Sequence, residues 1–366
     1  MTKPAVLVVV LATASGCSSG MPAAMDVAVD GGDGGPGVVA AGVRWVGRVD
    51  LTDAQHPRFS WSGTGFIARF AGTSLSIDID SSGAFLFKPV IDGKAAGVIT
   101  IPAGEQTATI ASGLPAGTHT VALYRQTEGS QGDSQLLGIT AGGGDGLLTP
   151  PDAPARLIEV IGDSISCGYG TLGMLSDSDC FASESHWDSY GAVAARELGA
   201  DVSTIAISGQ GVYRNYDGDM NDTLPMVYPR ALTNDATPAW DFDAQPQAVI
   251  VNLGTNDISN GKGDPGVPFE TAYTGLLANV RANYPGAWIV CLVGPLLGGA
   301  DLVTMDGHLD VSVNTRAAQG DHQVEVFEGI APQSSDKAAC QYHPDPAENQ
   351  IMADQLVTEL RARLGW

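Results

Sequence analysis

The strongest constraint on the fold is a series of continuous apolar runs that begins after Pro154. The runs lie at residues 157–161, 202–207, 248–253, 288–293 and 324–327. Helical periodicity between and after them predicts helices at 187–198, 269–283 and 347–364. A strand that is apolar along its whole length is buried on both faces, which is typical of a parallel sheet flanked by helices. Residues 151–366 are therefore predicted to form an α/β domain.

Residues 41–150 follow a different pattern, in which apolar and polar residues alternate. The segment 75–80 reads Leu-Ser-Ile-Asp-Ile-Asp, and short runs of this kind are separated by turn sequences such as Asp-Gly at 92–93. Short strands of period two predict an antiparallel β-sandwich. A glycine-rich stretch and Pro-Pro at 150–151 mark the linker to the second domain.

The first 17 residues resemble a bacterial lipoprotein signal peptide. Lys3 precedes an apolar stretch at 5–14 that is too short to cross a bilayer as a helix. Ala-Ser-Gly-Cys at 14–17 resembles a lipobox, in which Cys17 would be acylated. An ordinary secretory signal peptide is the alternative. Both interpretations predict an exported protein, either a cell-envelope lipoprotein that meets the membrane only through Cys17 or a secreted protein, with a flexible Gly/Asp-rich tether at 18–40.

The charge of the chain excludes several classes of partner. There are 18 Lys and Arg against 41 Asp and Glu, which gives a net charge of −23. A surface this acidic repels phosphate backbones and anionic lipid, so we expect no nucleic acid partner. The cysteine and histidine spacings are not those of a zinc site, and we expect no metal.

Polar residues follow the predicted strands at the edge where such sheets bind ligands. The four blocks are Gly162-Asp163-Ser164, Ser208-Gly209-Gln210-Gly211, Gly254-Thr255-Asn256-Asp257 and, before the last helix, Tyr342-His343-Pro344. A hydroxyl nucleophile needs a base, which makes Ser164 and His343 the candidate catalytic pair. The oxyanion of an acyl transfer needs preorganised donors. The backbone N–H groups of Ser164 and Gly209 and the side-chain amide of Asn256 are the candidates. Each block alone is a weak signal, and their order and common placement carry the prediction.

Other polar residues near these blocks are weaker candidates. Asp163 is expected to brace the nucleophile loop rather than to act as acid or base. His186, His308 and His322 are expected at the surface or in polar loops.

As a set, the four blocks resemble those of the SGNH (GDSL-type) hydrolases, over residues 155–366. With the preceding sandwich, the chain resembles carbohydrate esterase family 2, which joins an N-terminal jelly-roll domain to a C-terminal SGNH domain. The resemblance implies a serine esterase that removes O-acetyl groups from polysaccharides of the xylan or glucomannan type through an acyl-enzyme, without a cofactor. Alternatives are an O-acetylesterase acting on peptidoglycan or exopolysaccharide, and a carbohydrate-binding surface lipoprotein with weak esterase activity.

Three residues near the second and third blocks are candidate substrate contacts. Arg214 and Tyr216 belong to a segment that also resembles the family, and they could bracket the sugar. Packing of Arg214 against loop carbonyls is an equal alternative. Asp257 either lies beside the substrate or caps the following helix.

One position departs from the usual SGNH pattern. Most members of that group place an Asp three residues before the catalytic His, and this chain has Cys340 there. We therefore predict a Ser164–His343 dyad in which a main-chain carbonyl holds Nδ1 of the imidazole. Asp336 and Asp345 are poorer substitutes for the missing carboxylate.

The four remaining cysteines predict two disulfides in an oxidising compartment. Three connectivities are possible. A Cys167–Cys180 pair is favoured because it closes a short loop, and Cys340 would then pair with Cys291 and pin the loop that carries His343.

Overall fold

A computed structural model of the protein describes residues 39–366. The predicted signal peptide, the proposed lipidation site Cys17 and the tether up to residue 38 lie outside the described residues. Residues 39 and 40, which the sequence pattern places in the tether, instead form the first strand. In the described part of the chain, no helix combines the length and the apolar character needed to cross a membrane.

The N-terminal β-domain is built from two antiparallel sheets. Its strands are β1 (Val39–Ala40), β2 (Val43–Val46), β3 (Arg58–Phe59), β4 (Gly65–Gly72), β5 (Ser74–Ser81), β6 (Phe85–Ile91), β7 (Lys94–Ala95), β8 (Ile99–Ile101), β9 (Gly104–Ala111), β10 (Gly117–Arg125), β11 (Ser134–Gly142) and β12 (Gly146–Leu148). One sheet has the order β1-β2-β4-β10-β6-β7, with β12 beside β4 and β8 beside β6, and the other has the order β3-β11-β5-β9. The alternating Leu75, Ile77 and Ile79 of β5 are fully buried between the sheets. The predicted sandwich is confirmed.

The C-terminal domain contains one parallel sheet and seven α-helices among the described residues. The strands are β13 (Leu157–Gly162), β14 (Asp201–Ala206), β15 (Ala248–Asn252), β16 (Trp288–Leu292) and β17 (Val324–Val326). The helices are α1 (Ser164–Cys167), α2 (Tyr190–Leu198), α3 (Leu224–Val227), α4 (Thr255–Ile258), α5 (Gly266–Asn283), α6 (Gly299–Ala318) and α7 (Pro346–Leu364). The sheet order is β14-β13-β15-β16-β17.

The central strand β15 shows why the apolar runs are continuous. Ala248 and Ile250 belong to the core that includes α2 and α7, whereas Val249 and Val251 belong to the core on the opposite face with α5 and α6. Both faces of the strand are therefore apolar, and the predicted α/β architecture is confirmed.

The helix α6 was not predicted from the sequence, because its apolar face is narrow. Its 20 residues bury only Met305, Leu309 and Ser312. The helix α5 also begins three residues before the predicted start at 269.

Two histidines lie in environments other than those expected. His186 is buried rather than exposed, with Nε2 2.8 Å from Oγ1 of Thr204. Burial lowers the pKa of His186 to about 3. His308 lies in α6 rather than in a loop, with its two ring nitrogens 2.8 Å from Glu270 and 2.7 Å from Asp264.

Buried side chains of the β-domain hold it against the α/β domain. The fully buried guanidinium of Arg48 lies 3.3 Å from Oε2 of Glu159 on β13. The indole of Trp61 packs in the core of the α/β domain and donates to the carbonyl of Ala231 at 2.9 Å. This interface places the β-domain segment around Glu128 beside the loops that follow β13 and β14.

Candidate active site

The predicted nucleophile and base lie within hydrogen-bond distance of each other. Ser164 is the first residue of α1, directly beyond β13, and Nε2 of His343 lies 2.8 Å from its Oγ. The preceding Asp163 caps α1, because its Oδ1 accepts from the N–H of Ile165 at 3.1 Å. The serine sits at the positive end of a helical turn, where its own N–H has no intrahelical acceptor and can donate to a bound ligand.

The imidazole of His343 is neutral at physiological pH. Burial lowers its pKa to about 4, although the nearby carbonyls of Cys340 and Gln341 act in the opposite direction. A neutral imidazole can accept the serine proton, as a general base must.

No described carboxylate orients the imidazole. The buried Nδ1 atom of His343 makes no hydrogen bond of good geometry, although the carbonyls of Cys340 and Gln341 lie close to the ring. Asp345 caps α7 by accepting from the N–H of Glu348 at 2.8 Å. Asp336 is exposed and interacts with Ser334. Two main-chain carbonyls thus lie beside the ring where no described carboxylate does, and the hydrogen bond from Nδ1 to one of them stays a prediction.

A disulfide holds the loop that carries His343, but its pairing differs from the prediction. Cys340 is bonded to Cys180, with their Cα atoms 5.6 Å apart. Cys167 and Cys291 are buried free cysteines. Cys291 lies inside β16 in a packed core, and Cys167 lies on α1 facing the β-domain, and neither predicted disulfide is formed.

The backbone of the base loop adopts two left-handed residues in succession. Gln341 has φ 49° and Tyr342 has φ 66°, a region that side chains other than glycine rarely adopt. The loop is closed by the N–H of Ala339, which donates to the carbonyl of His343 at 2.7 Å. The conformation leaves Tyr342 69% exposed beside the partly buried His343.

The three candidate oxyanion donors occupy neighbouring strand-end loops. Gly209 follows β14 with φ 79°, a conformation that favours glycine. Nδ2 of Asn256 donates to Oδ2 of Asp163 at 3.1 Å and to the carbonyl of Gln210 at 2.9 Å. Asn256 thus ties the loop after β13 to the loop after β14. One of its amide hydrogens must turn away from these acceptors before it can reach an oxyanion.

Asp163 titrates close to neutral pH. Burial, reinforced by the charges of Asp257 and Glu128, raises its pKa to about 7 despite the hydrogen bond from Ile165 N–H. Its carboxylate contacts the amide of Asn256 rather than either reacting group, in keeping with the bracing role predicted for it.

Two of the three candidate substrate contacts use their polar groups inside the protein. The carboxylate of Asp257 is fully buried and accepts from the N–H groups of Val212, Tyr213 and Arg214 at 2.8–3.0 Å. The guanidinium of Arg214 donates to the carbonyls of Asp257 and Gly263. These contacts brace the loop after β14. Tyr216 is half-exposed, and its contact with substrate stays a prediction.

Sequence reasoning missed two aromatic residues, Tyr169 and Phe181, that pack in succession beside the candidate base His343. The ring of Tyr169 lies edge-on to the imidazole of His343 and to the ring of Phe181, with both centroid separations at 4.9 Å. Phe181 lines a groove of about 660 Å³ between the two domains, together with Phe85 and Gln131 of the β-domain. The adjacency of Cys180 and Phe181 was a possible signal, but only with the correct disulfide pairing.

Family models match both domains. Residues 45–151 match the carbohydrate esterase 2 N-terminal domain, and residues 160–356 match the GDSL-like lipase/acylhydrolase family. The chain belongs to carbohydrate esterase family 2. The resemblance deduced from the sequence blocks is confirmed.

Individual relatives agree with this assignment. The chain is 37% identical over 327 residues to the cellulase/esterase CelE of Acetivibrio thermocellus. The aligned region covers 89% of this chain but only 40% of that protein. It is 31% identical over 327 residues to an acetylxylan esterase/glucomannan deacetylase of Cellvibrio japonicus, and the aligned region covers 84% of this chain and 86% of that protein.

A solved structure extends the similarity to the whole fold. A family two carbohydrate esterase from Clostridium thermocellum, in complex with cellohexaose, superposes with a TM-score of 0.84 at 37% identity. The match covers 88% of this chain and 99% of that chain.

Proposed function

We propose that this protein is a serine esterase that removes O-acetyl groups from neutral plant polysaccharides of the xylan or glucomannan type. The observation that carries the proposal is the 2.8 Å contact between Ser164 Oγ and Nε2 of His343, whose pKa of about 4 keeps it unprotonated. The name of the Cellvibrio relative and the ligand of the Clostridium structure support the substrate class.

The chemistry proceeds in two halves. His343 removes the proton of Ser164 as Oγ attacks the acetyl carbonyl carbon, and the carbonyl oxygen becomes an oxyanion. The N–H groups of Ser164 and Gly209 and the amide of Asn256 stabilise that charge. The carbon–oxygen bond to the sugar then breaks, and His343 returns its proton to the departing sugar oxygen. Water hydrolyses the acetyl-enzyme by the same steps, which releases acetate and restores Ser164.

A polymer fits the surroundings of the dyad better than a small ester. Phe181, which lines the groove, contacts Tyr169, and Tyr169 contacts His343. Two exposed tyrosines, Tyr342 and Tyr216, lie in the loops that carry the candidate base and oxyanion donors. Exposed aromatic rings offer apolar faces for sugar rings. The net charge of −23 favours a neutral polysaccharide over an anionic one.

We also propose that the protein is exported and held at the cell envelope by acylation of Cys17. The apolar stretch at 5–14 and the lipobox-like sequence at 14–17 support this proposal. The Cys180–Cys340 disulfide is in keeping with an oxidising compartment. Metabolic labelling with a fatty acid tests it: label should enter the wild type and not a Cys17→Ser variant. An unlabelled wild-type protein in the culture medium would contradict it.

Acetate release tests the activity. Purified protein is incubated with acetylated xylan, acetylated glucomannan, O-acetylated peptidoglycan and p-nitrophenyl acetate. We expect the two plant polymers to be deacetylated fastest, and Ser164→Ala to lower kcat by at least about 10³-fold without loss of folded structure. Turnover by Ser164→Ala near the wild-type rate would overturn the nucleophile, and preference for peptidoglycan would overturn the substrate class.

A further inference from the structure

A buried carboxylate of the β-domain reaches the oxyanion loop of the α/β domain. Oε2 of Glu128 accepts a hydrogen bond from the N–H of Ser208 at 3.2 Å and a second, shorter one from the Ser208 hydroxyl. Ser208 directly precedes Gly209, the candidate oxyanion donor. Glu128 is only 1% exposed, so these two bonds form away from water.

The other contacts of Glu128 fix its own position. Its Oε1 accepts from the hydroxyl of Ser130, and its N–H donates to Oε2 of Glu184 at 3.0 Å. The next residue, Gly129, accepts through its carbonyl from Nδ2 of Asn234 at 3.0 Å. The Glu128 segment is therefore anchored to the α/β domain on both sides.

From these contacts we infer that Glu128 is a positioning residue for the oxyanion hole, supplied to the esterase domain by the β-domain. Glu128 fixes the backbone on the N-terminal side of Gly209, while the N–H of Tyr216 donates to the Gly209 carbonyl at 2.7 Å on the other side. A donor held from both sides is preorganised for the developing charge. This inference rests on the proposed esterase function.

The same cluster carries more negative groups than nearby cations neutralise. Ligand atoms of Glu128, Glu184 and Cys167 lie within 4.8 Å of one another, and all three residues are buried. The guanidinium of Arg125 donates to backbone carbonyls and to Ser134 rather than to a carboxylate. Two buried carboxyl groups this close disfavour each other's ionisation. Burial raises the pKa of both Glu128 and Glu184.

The polar atoms of the cluster do not fit a metal ion. Oε2 of Glu128, which a metal would need, already accepts two hydrogen bonds from Ser208. Among the described carboxylate oxygens of the cluster, only Oε1 of Glu184 has no hydrogen-bond partner. One free oxygen and one thiol do not complete a metal coordination shell.

Steady-state kinetics on p-nitrophenyl acetate test the inference, with Tm recorded for every variant. Glu128→Ala should lower kcat by about 10–100-fold and change KM by less than about twofold, because misplaced oxyanion donors act on the transition state. Glu128→Gln keeps an acceptor for Ser208 and should stay within about threefold of the wild-type kcat.

Asp321→Ala is the control. It removes a buried carboxylate that pairs with Arg281 and Arg316 just before β17, at the opposite edge of the sheet from Ser208, so it should lower Tm while kcat stays within about threefold of wild type. Equal losses of kcat in Glu128→Ala and Asp321→Ala would overturn the inference, as would a metal ion bound at one equivalent in the wild type and lost in Glu128→Ala.

A further variant keeps the test decisive if Glu128→Ala does not fold. Ser208→Ala removes one of the two bonds to Glu128 and should lower kcat by about threefold to tenfold at unchanged KM. An unchanged kcat in Ser208→Ala would overturn the inference. Ser164→Ala is assayed beside these variants. Turnover near the wild-type rate in Ser164→Ala would refute the proposed function, whereas a loss of at least about 10³-fold in Ser164→Ala beside a fully active Ser208→Ala would refute only the role of Glu128.

Discussion

The two halves of the candidate active site are held in place by different means. Ser164, Gly209 and Asn256 lie at the ends of three adjacent parallel strands, and hydrogen bonds through Asp163 and Asn256 join their loops. His343 comes from a short loop outside the sheet, fixed by the Cys180–Cys340 disulfide. The sheet thus preorganises the nucleophile half, whereas a covalent bond between distant segments preorganises the base half.

The difference shows how a dyad can work without an orienting acid. In the nucleophile half, the side chains of Asp163, Asn256 and Asp257 each make two or more hydrogen bonds, so removal of one leaves other groups unsatisfied. In the base half, no described carboxylate bonds to Nδ1 of His343, and the loop backbone and the ring of Tyr169 set the position of the imidazole. We therefore expect kcat to depend most on individual hydrogen-bonding side chains in the nucleophile half and on the rigidity of the His343 loop in the base half.

Replacement of Asn256 should produce the largest effect among the positions that distinguish the halves. Asn256→Ala removes a candidate oxyanion donor, so kcat should fall by about 10²–10³-fold with little change in KM. It also leaves Asp163 without the donor at Oδ2, which should lower the free energy of unfolding by about 1–3 kcal/mol. Kinetics on p-nitrophenyl acetate and denaturant titration measure both. A raised KM at unchanged kcat would make Asn256 a ground-state sugar contact instead.

Removal of the disulfide should affect the base half alone. Cys340→Ser frees a loop closed across 160 residues of sequence, and disulfides typically contribute about 2–4 kcal/mol to the free energy of unfolding. We expect kcat to fall by about tenfold through misplacement of His343, with a lower Tm. Cys291→Ala, which alters a buried free thiol, is the control and should keep its kcat. Full activity of Cys340→Ser would show that the disulfide does not position the base.

The pH dependence should report the unusual environment of His343. The base must be neutral, and its pKa is about 4 rather than the usual 6.5, so kcat/KM should fall only as the pH drops below about 5. The free energy of unfolding should change in the same direction. The unfolded chain binds a proton at His343 below about pH 6.5, whereas the folded chain binds it only near pH 4, so protonation increasingly favours the unfolded state as the pH falls from 6.5 toward 4. An acid limb between 6 and 7 would contradict the low pKa of His343, unless Asp163→Asn abolishes that limb and so assigns it to Asp163.

The nucleophile half could be predicted from the sequence because the carboxyl ends of parallel strands all lie at the same edge of a sheet. Once the runs ending before Gly162, Ser208 and Gly254 were recognised as buried strands, their following residues had to meet there. The base half was less accessible. Cys180 and Cys340 are 160 residues apart, and sequence spacing favoured the local pair Cys167–Cys180. Spacing could not reveal that Cys167 faces the β-domain.

Contacts across the domain interface were also beyond sequence reasoning. Glu128 follows a strand of the sandwich, and a Glu in that position is ordinarily predicted to be a solvated turn residue. No local sequence pattern links it to Ser208. The bracing contacts of Asp257 were likewise hidden, since its carboxylate serves three backbone N–H groups more than 40 residues away in sequence. Residues whose partners lie in another element require the three-dimensional structure.

The smallest effect is expected where an orienting acid would usually be sought. Asp336 is exposed and Asp345 caps α7, and neither forms a hydrogen bond to His343 in the described structure. Asp336→Asn and Asp345→Asn should therefore each leave kcat within about threefold of wild type, since Asn also serves well as a helix cap. Loss of the Asp from a Ser-His-Asp triad costs about 10⁴-fold in kcat, so the two outcomes are well separated. A loss of that size in Asp336→Asn, measured with p-nitrophenyl acetate, would mean that the loop rearranges in solution to bring Asp336 to Nδ1. In that case the base half would rely on a carboxylate as well as on the disulfide.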